Sequence, residues 1–135
     1  MAHMNQEKKA RLAPAIKAIC KKYGVKASIA VRHHSTLVLN IKSGPIDFIR
    51  NFNDLAQVRW REPWAFTPAK NYIDVNPYWY QEHFEGVALS FLSELIPAMN
   101  DGNHDRSDIQ TDYFDVGWYI DVNIGKWDKP YEFVA

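Results

Sequence analysis

A second cysteine is missing. Cys20 stands alone in a chain of 135 residues, which excludes an internal disulfide and a thiolate zinc knuckle. No apolar run reaches the length of a membrane span. No secretory leader pattern is present, so the expected location is the cytoplasm. The chain has no phosphate-cradling glycine loop, no Gly-x-Ser-x-Gly elbow and no His-Glu-x-x-His zinc helix, which leaves the familiar catalytic signatures without a foothold. Repeats and low-complexity tracts are absent. So is net charge, with sixteen Lys and Arg against sixteen Asp and Glu.

What is present describes a folded domain. Hydrophobic residues make up 47% of the chain, more than a disordered segment carries. Met1-Ala2-His3-Met4 reads as a cloning scar, residues 1–4, that ends in the native start at Met4. Residues 5–135 are expected to form a single domain, against ~100–200 residues for one domain.

The zero net charge hides a split. Residues 1–61 carry twelve cationic side chains against Glu7, Asp47 and Asp54, whereas residues 62–135 carry four cations against thirteen acids. Such asymmetry points to a charged partner, unless the halves interleave in space and form surface ion pairs.

Leu12, Ile16, Ile19, Cys20 and Tyr23 recur at helical spacing and predict a helix over 6–23, with Gly24 as its stop. Pro14 moves the regular part toward Ala13. Cys20 lies on the apolar stripe and reads as core. Residues 26–44 alternate as a β-hairpin with its turn near His34-Ser35. Gly44-Pro45 ends it and opens a helix over about 46–58. Prolines break residues 59–79 into a long, aromatic-rich loop. Asn76-Pro77 then signals a helix from 77 to 99, with Pro97 disturbing its last turn. An acidic loop, 100–112, precedes a strand over 113–125. There Phe114, Val116, Trp118, Ile120, Val122 and Ile124 share one face. Asp115, Gly117, Tyr119, Asp121, Asn123 and Gly125 share the other. Gly117 marks a bulge or a close backbone approach. Past Gly125, Trp127 and Tyr131 are expected to pack back on the sheet edge.

The order α-β-β-α-loop-α-β predicts an α+β fold. It comprises one antiparallel sheet of at least three strands, with helices packed on one face. On the wet face, Asp115 and Asp121 are expected opposite Arg32, Asn40 or Lys42, where a cross-strand pair contributes ~0.2–1 kcal/mol.

Candidate chemistry is sparse. Asp101, Asn103, Asp105 and Asp112 have part of a calcium-loop spacing, but Arg106 stands where that loop needs glycine. His33 and His34 read as a polar turn, and His83 as a surface histidine with no evident partner for acid–base work. The segment Arg59-Trp60-Arg61-Glu62-Pro63-Trp64 combines cations with flat rings, a pattern that stacks bases, neutralises phosphates or anchors protein interfaces. The alternative is a pair of core tryptophans with solvated arginines.

The blocks LAPAIKAICKKYGVKASIAVRHHSTLVLNIKSG and DYFDVGWYIDVNIGKWDKPY resemble small, uncharacterised proteins of bacteriophages and related mobile elements. The helix-hairpin part is also similar to an accessory domain of large polyvalent proteins of phages and conjugative elements. This resemblance implies an accessory role such as counter-defence or host takeover, and it brings no catalytic residue with it.

The resulting expectation is a non-enzymatic protein that binds a macromolecule, with no cofactor and no metal. Arg32, Lys42, Arg50, Arg59, Trp60, Arg61 and Trp64 would meet a nucleic acid or an acidic host protein. Lys21, Lys22 and Lys26 extend that basic segment. Asp101, Asp105, Asp108 and Asp112 would instead imitate nucleic-acid charge toward a basic host protein. Two rivals stand beside it. The charged halves could mate between subunits as a homo-oligomer, or a small metal- or ligand-dependent enzyme could hold a perturbed His or Asp in a pocket.

Overall fold

The computed structural model describes residues 2–59, 67–103 and 117–134. Its elements run α1 Gln6–Tyr23, β1 Lys26–Arg32, β2 Thr36–Gly44, α2 Phe48–Arg59, β3 Ile73–Val75, α3 Tyr80–His83, α4 Gly86–Met99, β4 Tyr119–Ile124 and β5 Glu132–Phe133. The class is α+β, as expected. Among the described residues no helix is long and apolar enough to cross a membrane.

Local chemistry explains α1. The Asn5 side chain accepts the Lys8 N–H at 2.8 Å, Glu7 sits in the first turn, and Lys21 and Lys22 sit in the last. All three favour the helix dipole or its open N–H groups. Gly24, at φ +72°, closes the helix in the left-handed region. The helix does not wait for Ala13: it runs through Pro14. Pro14 and Ala10 are both exposed, so the carbonyl that loses its partner lies on the wet side, where water can satisfy it. Pro97 repeats the arrangement inside α4, with Ser93 and Pro97 both exposed.

The five-stranded sheet has the order β1-β2-β4-β3, with β5 also on β2. β1 and β2 form the expected antiparallel hairpin. His33 and His34 carry positive φ (53° and 55°) in its three-residue turn, where the Ser35 N–H donates to the Arg32 carbonyl at 3.2 Å across a type I′-like bend. The expectation of a purely antiparallel sheet fails at its centre. β4 pairs parallel to β2, from Thr36–Tyr119 to Ile41–Ile124, and β3 pairs antiparallel to β4. A parallel pair needs a crossover, usually helical, and α2, α3 and α4 supply it.

The helix predicted over 77–99 is broken. Asn76 accepts the N–H groups of Tyr78 and Trp79 and so caps a turn ahead of α3. Phe84 is extended, and Gly86 opens α4 at φ +60°. A distant residue holds the break: Asn51 on α2 accepts the Glu85 N–H at 2.9 Å and donates to the Glu85 carbonyl at 3.2 Å. Asn53 treats Ala69 the same way, and Asn103 treats Trp118 the same way. In each case one side-chain amide stands in for a neighbouring peptide group.

The core lies on one face of the sheet. Leu37, Leu39, Ile41, Val122 and Ile124 meet Leu12, Ile16, Phe48, Phe91, Leu92 and Leu95 from the helices. Met4 is fully buried in it. The parity of the final strand holds over its described part, with Val122 and Ile124 at 0% exposure and Tyr119 at 49%. Trp127 departs from expectation. Tyr131 packs into the core, but Trp127 sits at the tip of a tight turn and is 77% exposed.

Candidate functional site

Helix α1 has two cationic sides. On one, each cation has a partner. Arg11 donates to the Asp101 carbonyl at 2.9 Å and faces its carboxylate at 3.7 Å. Lys22 meets Glu94 at 2.8 Å, and the Tyr23 hydroxyl donates to the same carboxylate. The Lys8 ammonium lies 5.6 Å from the Trp118 ring centre.

The Glu94 cluster makes stability depend on pH. Lys22 and Tyr23, both donating to it, hold the Glu94 carboxyl below its ordinary value. A depressed carboxyl stabilises the fold above the unfolded value, ~4.3, and that contribution fades as pH falls through the lower folded value. Burial pushes the Tyr131 phenol the other way, up. A raised phenol stabilises below ~10 and stops doing so as pH rises beyond it. Urea midpoints measured against pH are expected to fall at both ends, and Glu94→Gln is expected to flatten the acid limb and, because Glu94 also raises Lys22 and Tyr23, part of the alkaline one. An acid limb unchanged in that variant would remove Glu94 as its source.

On the other side of α1, no described acidic side chain pairs with the cations. Lys9, Lys17 and Lys21, with Lys26 at the start of β1, line a groove of about 470 Å³ between α1 and β1. No acidic side chain lines it, and none of the four lysines makes an ion pair with a described residue. The floor is apolar, built from Ala13, Ile16, Cys20, Val25, Ile29 and Leu39. Burial raises the Cys20 thiol above its usual value. It therefore stays protonated and a poor nucleophile. β1 is one of the two outer strands of the sheet, so among the described residues its outer edge presents unpaired backbone groups beside the lysines.

The other residues singled out in the sequence do not converge. Arg32 and Lys42 share the sheet face opposite the core. There Arg32 reaches across β2 to Asp121 at 2.8 Å, and Asn123 donates to Asn40 at 3.2 Å. Asp121 thus opposes Arg32 as the alternation predicted. Arg50 and Arg59 lie on α2, away from that face. Arg50 is 3.7 Å from Asp54, and Arg59 donates to the Glu82 carbonyl. Asp101 is paired with Arg11. Trp60, Arg61, Trp64, Asp105, Asp108 and Asp112 lie outside the described residues.

Three of the four ion pairs among described residues join a cation from the first half to an acid from the second: Arg11–Asp101, Lys22–Glu94 and Arg32–Asp121. To that extent the charged halves interleave. The groove lysines are the remainder. Lys21 and Lys26 were within reach of the sequence reading, but Lys9 and Lys17 were missed. Their only signal was a place on α1 beside the apolar stripe. Among the described residues no group of three or more His, Cys, Asp or Glu side chains is arranged to hold a metal ion. Compared with protein-family models, with curated proteins and with solved structures, the chain matches none of them.

Proposed function

We propose that this chain is a non-enzymatic accessory protein, of the bacteriophage type its sequence resembles, that acts by holding an acidic macromolecule in the groove between α1 and β1. One observation carries the reading: four lysines surround one groove with no acid among its lining residues. Elsewhere on the described surface most cations from the basic half face a carboxylate. Like charges left together on one surface raise the local potential and attract counter-charge. The partly exposed Ala13, Ala27 and Ile29 add a small apolar area that a bound chain can cover.

The test uses a fluorescent poly-glutamate and a fluorescent oligothymidylate as probes. Binding of at least one is expected to weaken by about tenfold or more between roughly 50 and 200 mM salt, as a few ionic contacts require. Lys17→Glu with Lys21→Glu is expected to abolish it. Both side chains are exposed and make no ion pair with a described residue, so the fold should be retained. Arg50→Glu, on α2, is the matched control and should leave binding intact. If both variants bind alike, the groove is not the site.

A further inference from the structure

We infer that the occupant of this groove is an extended acidic segment of another polypeptide, added as a new strand to the free edge of β1. This rests on the reading of the groove as a site for an acidic macromolecule and names its partner class.

Three observations favour a polypeptide over a nucleic acid. First, the groove is lined by the first half of β1, Lys26–Ile29, and β1 is an outer strand of the sheet among the described residues. Every second N–H and C=O on its outer edge lacks a ladder partner there, and an incoming strand satisfies them. A phosphate backbone has no matching donors. Second, the partly exposed lining residues Ala13, Ala27 and Ile29 are apolar, with Ile16 and Leu39 already buried beneath them. Apolar side chains of a peptide can extend that small patch, while phosphates cannot. Third, among the described residues the exposed aromatics Tyr72, Tyr78, Trp79, Tyr119, Trp127 and Phe133 do not line this groove. Single-stranded nucleic acid is normally gripped by stacking its bases on such rings.

The spacing also fits. Lys17 and Lys21 are separated by about 6 Å of helix rise, and Lys9 and Lys21 by about 18 Å. Alternate residues of a strand recur every ~6.7 Å, and β1 at seven residues is about 23 Å long. Carboxylates at alternating positions of a strand on β1 therefore come into step with the lysines of α1. The expected partner segment has about seven residues and mixes acidic with apolar side chains. A helix standing beside a sheet edge is a known geometry for capturing peptides in this way.

The test uses the intact chain and a set of synthetic peptides of about ten residues, alternating Glu or Asp with Val, Leu or Ile. Each is paired with a copy N-methylated at every second residue, which keeps charge and side chains but blocks strand pairing. Decathymidylate is the nucleic-acid probe. The strongest peptides are expected to bind about tenfold or more tighter than their N-methylated copies. They should slow amide exchange along residues 26–32 and lose binding in the Lys17→Glu, Lys21→Glu protein. Equal binding of the methylated copies, with binding still lost in the lysine variant, would overturn strand addition and leave the charged groove standing. Binding unchanged in the lysine variant would overturn the underlying reading as well. Decathymidylate binding tighter than every peptide, and lost in the lysine variant, would make the groove a nucleic-acid site. No binding by any peptide would also reject the inference.

Discussion

Gly125→Ala is expected to cost on the order of 5 kcal/mol. That is between about a third and all of the stability of a domain whose total lies in the range of ~5–15 kcal/mol. Gly125 sits at φ +71°, in the left-handed region, where a side chain alone costs about 1–2 kcal/mol. The larger part is steric. A Cβ there would stand 2.5 Å from the Tyr131 nitrogen and 2.7 Å from the Asn71 carbonyl oxygen. Those two atoms are hydrogen-bonded to each other at 2.9 Å across the glycine. Both are backbone, so neither can rotate away. The chain must open that bond and move Tyr131, whose hydroxyl donates to the Ile46 carbonyl at 2.6 Å in the core. Gly86→Ala is the natural comparison. Its φ is also positive, at +60°, but nothing lies within 4 Å of the added carbon, so only the conformational cost of about 1–2 kcal/mol is expected. Urea unfolding of the two variants side by side measures the difference. Similar midpoints would show that the crossing at Gly125 relaxes freely.

Phe48→Ala is expected to cost about 3–5 kcal/mol, the range for deleting a fully buried phenylalanine. Phe48 has 0% exposure. Its ring lies 5.4 Å from Tyr131, 5.7 Å from Phe91 and 6.3 Å from Phe84. Those rings come from the C-terminal segment, from α4 and from the break before it. Removing Phe48 therefore leaves a void where α2 meets three separate stretches of chain. Phe48→Leu, which keeps much of the volume, is expected to cost clearly less. Val58, on the same helix but 84% exposed, should tolerate alanine within about 0.5 kcal/mol. Denaturant midpoints for the three variants should fall in that order. Equal losses at Phe48 and Val58 would mean that α2 contributes little to the core.

Much of this fold is legible from neighbouring residues. Asn5 and Gly24 bound α1 because caps are local chemistry. Leu37, Leu39 and Ile41 face the core because a strand shows its burial as a period of two, and Val122 and Ile124 do the same. What periodicity does not report is the partner. The alternation of β4 is the same whether it lies parallel or antiparallel to β2, so the sheet's central pairing stayed hidden. β3 and β5, at three and two residues, are too short to show a pattern. The break before Gly86 depends on Asn51, thirty-four residues away. The site follows the same division. That α1 is rich in lysine is plain in its sequence. That Lys22 is neutralised by Glu94 while Lys17 and Lys21 are not depends on where α4 packs, and that β1 lies at an edge depends on the whole sheet.

The parallel pairing of β2 with β4 also sets a clock. Asn40 and Asn123, partners at its centre, are 83 residues apart. The loop between them must close before any of that pairing is rewarded, and closure entropy grows with loop length. Chains dominated by such distant contacts fold over milliseconds to seconds rather than microseconds. On a ribosome adding about 5–20 residues each second, the hairpin of β1 and β2 emerges several seconds before β4 exists. For that interval β2 has a bare edge on the side β4 will occupy, and β1 has one on the other. The nascent protein is thus briefly a two-edged ribbon, until pairing with β4 covers the inner edge of β2 and leaves β1 and β3 as the outer strands of the described sheet.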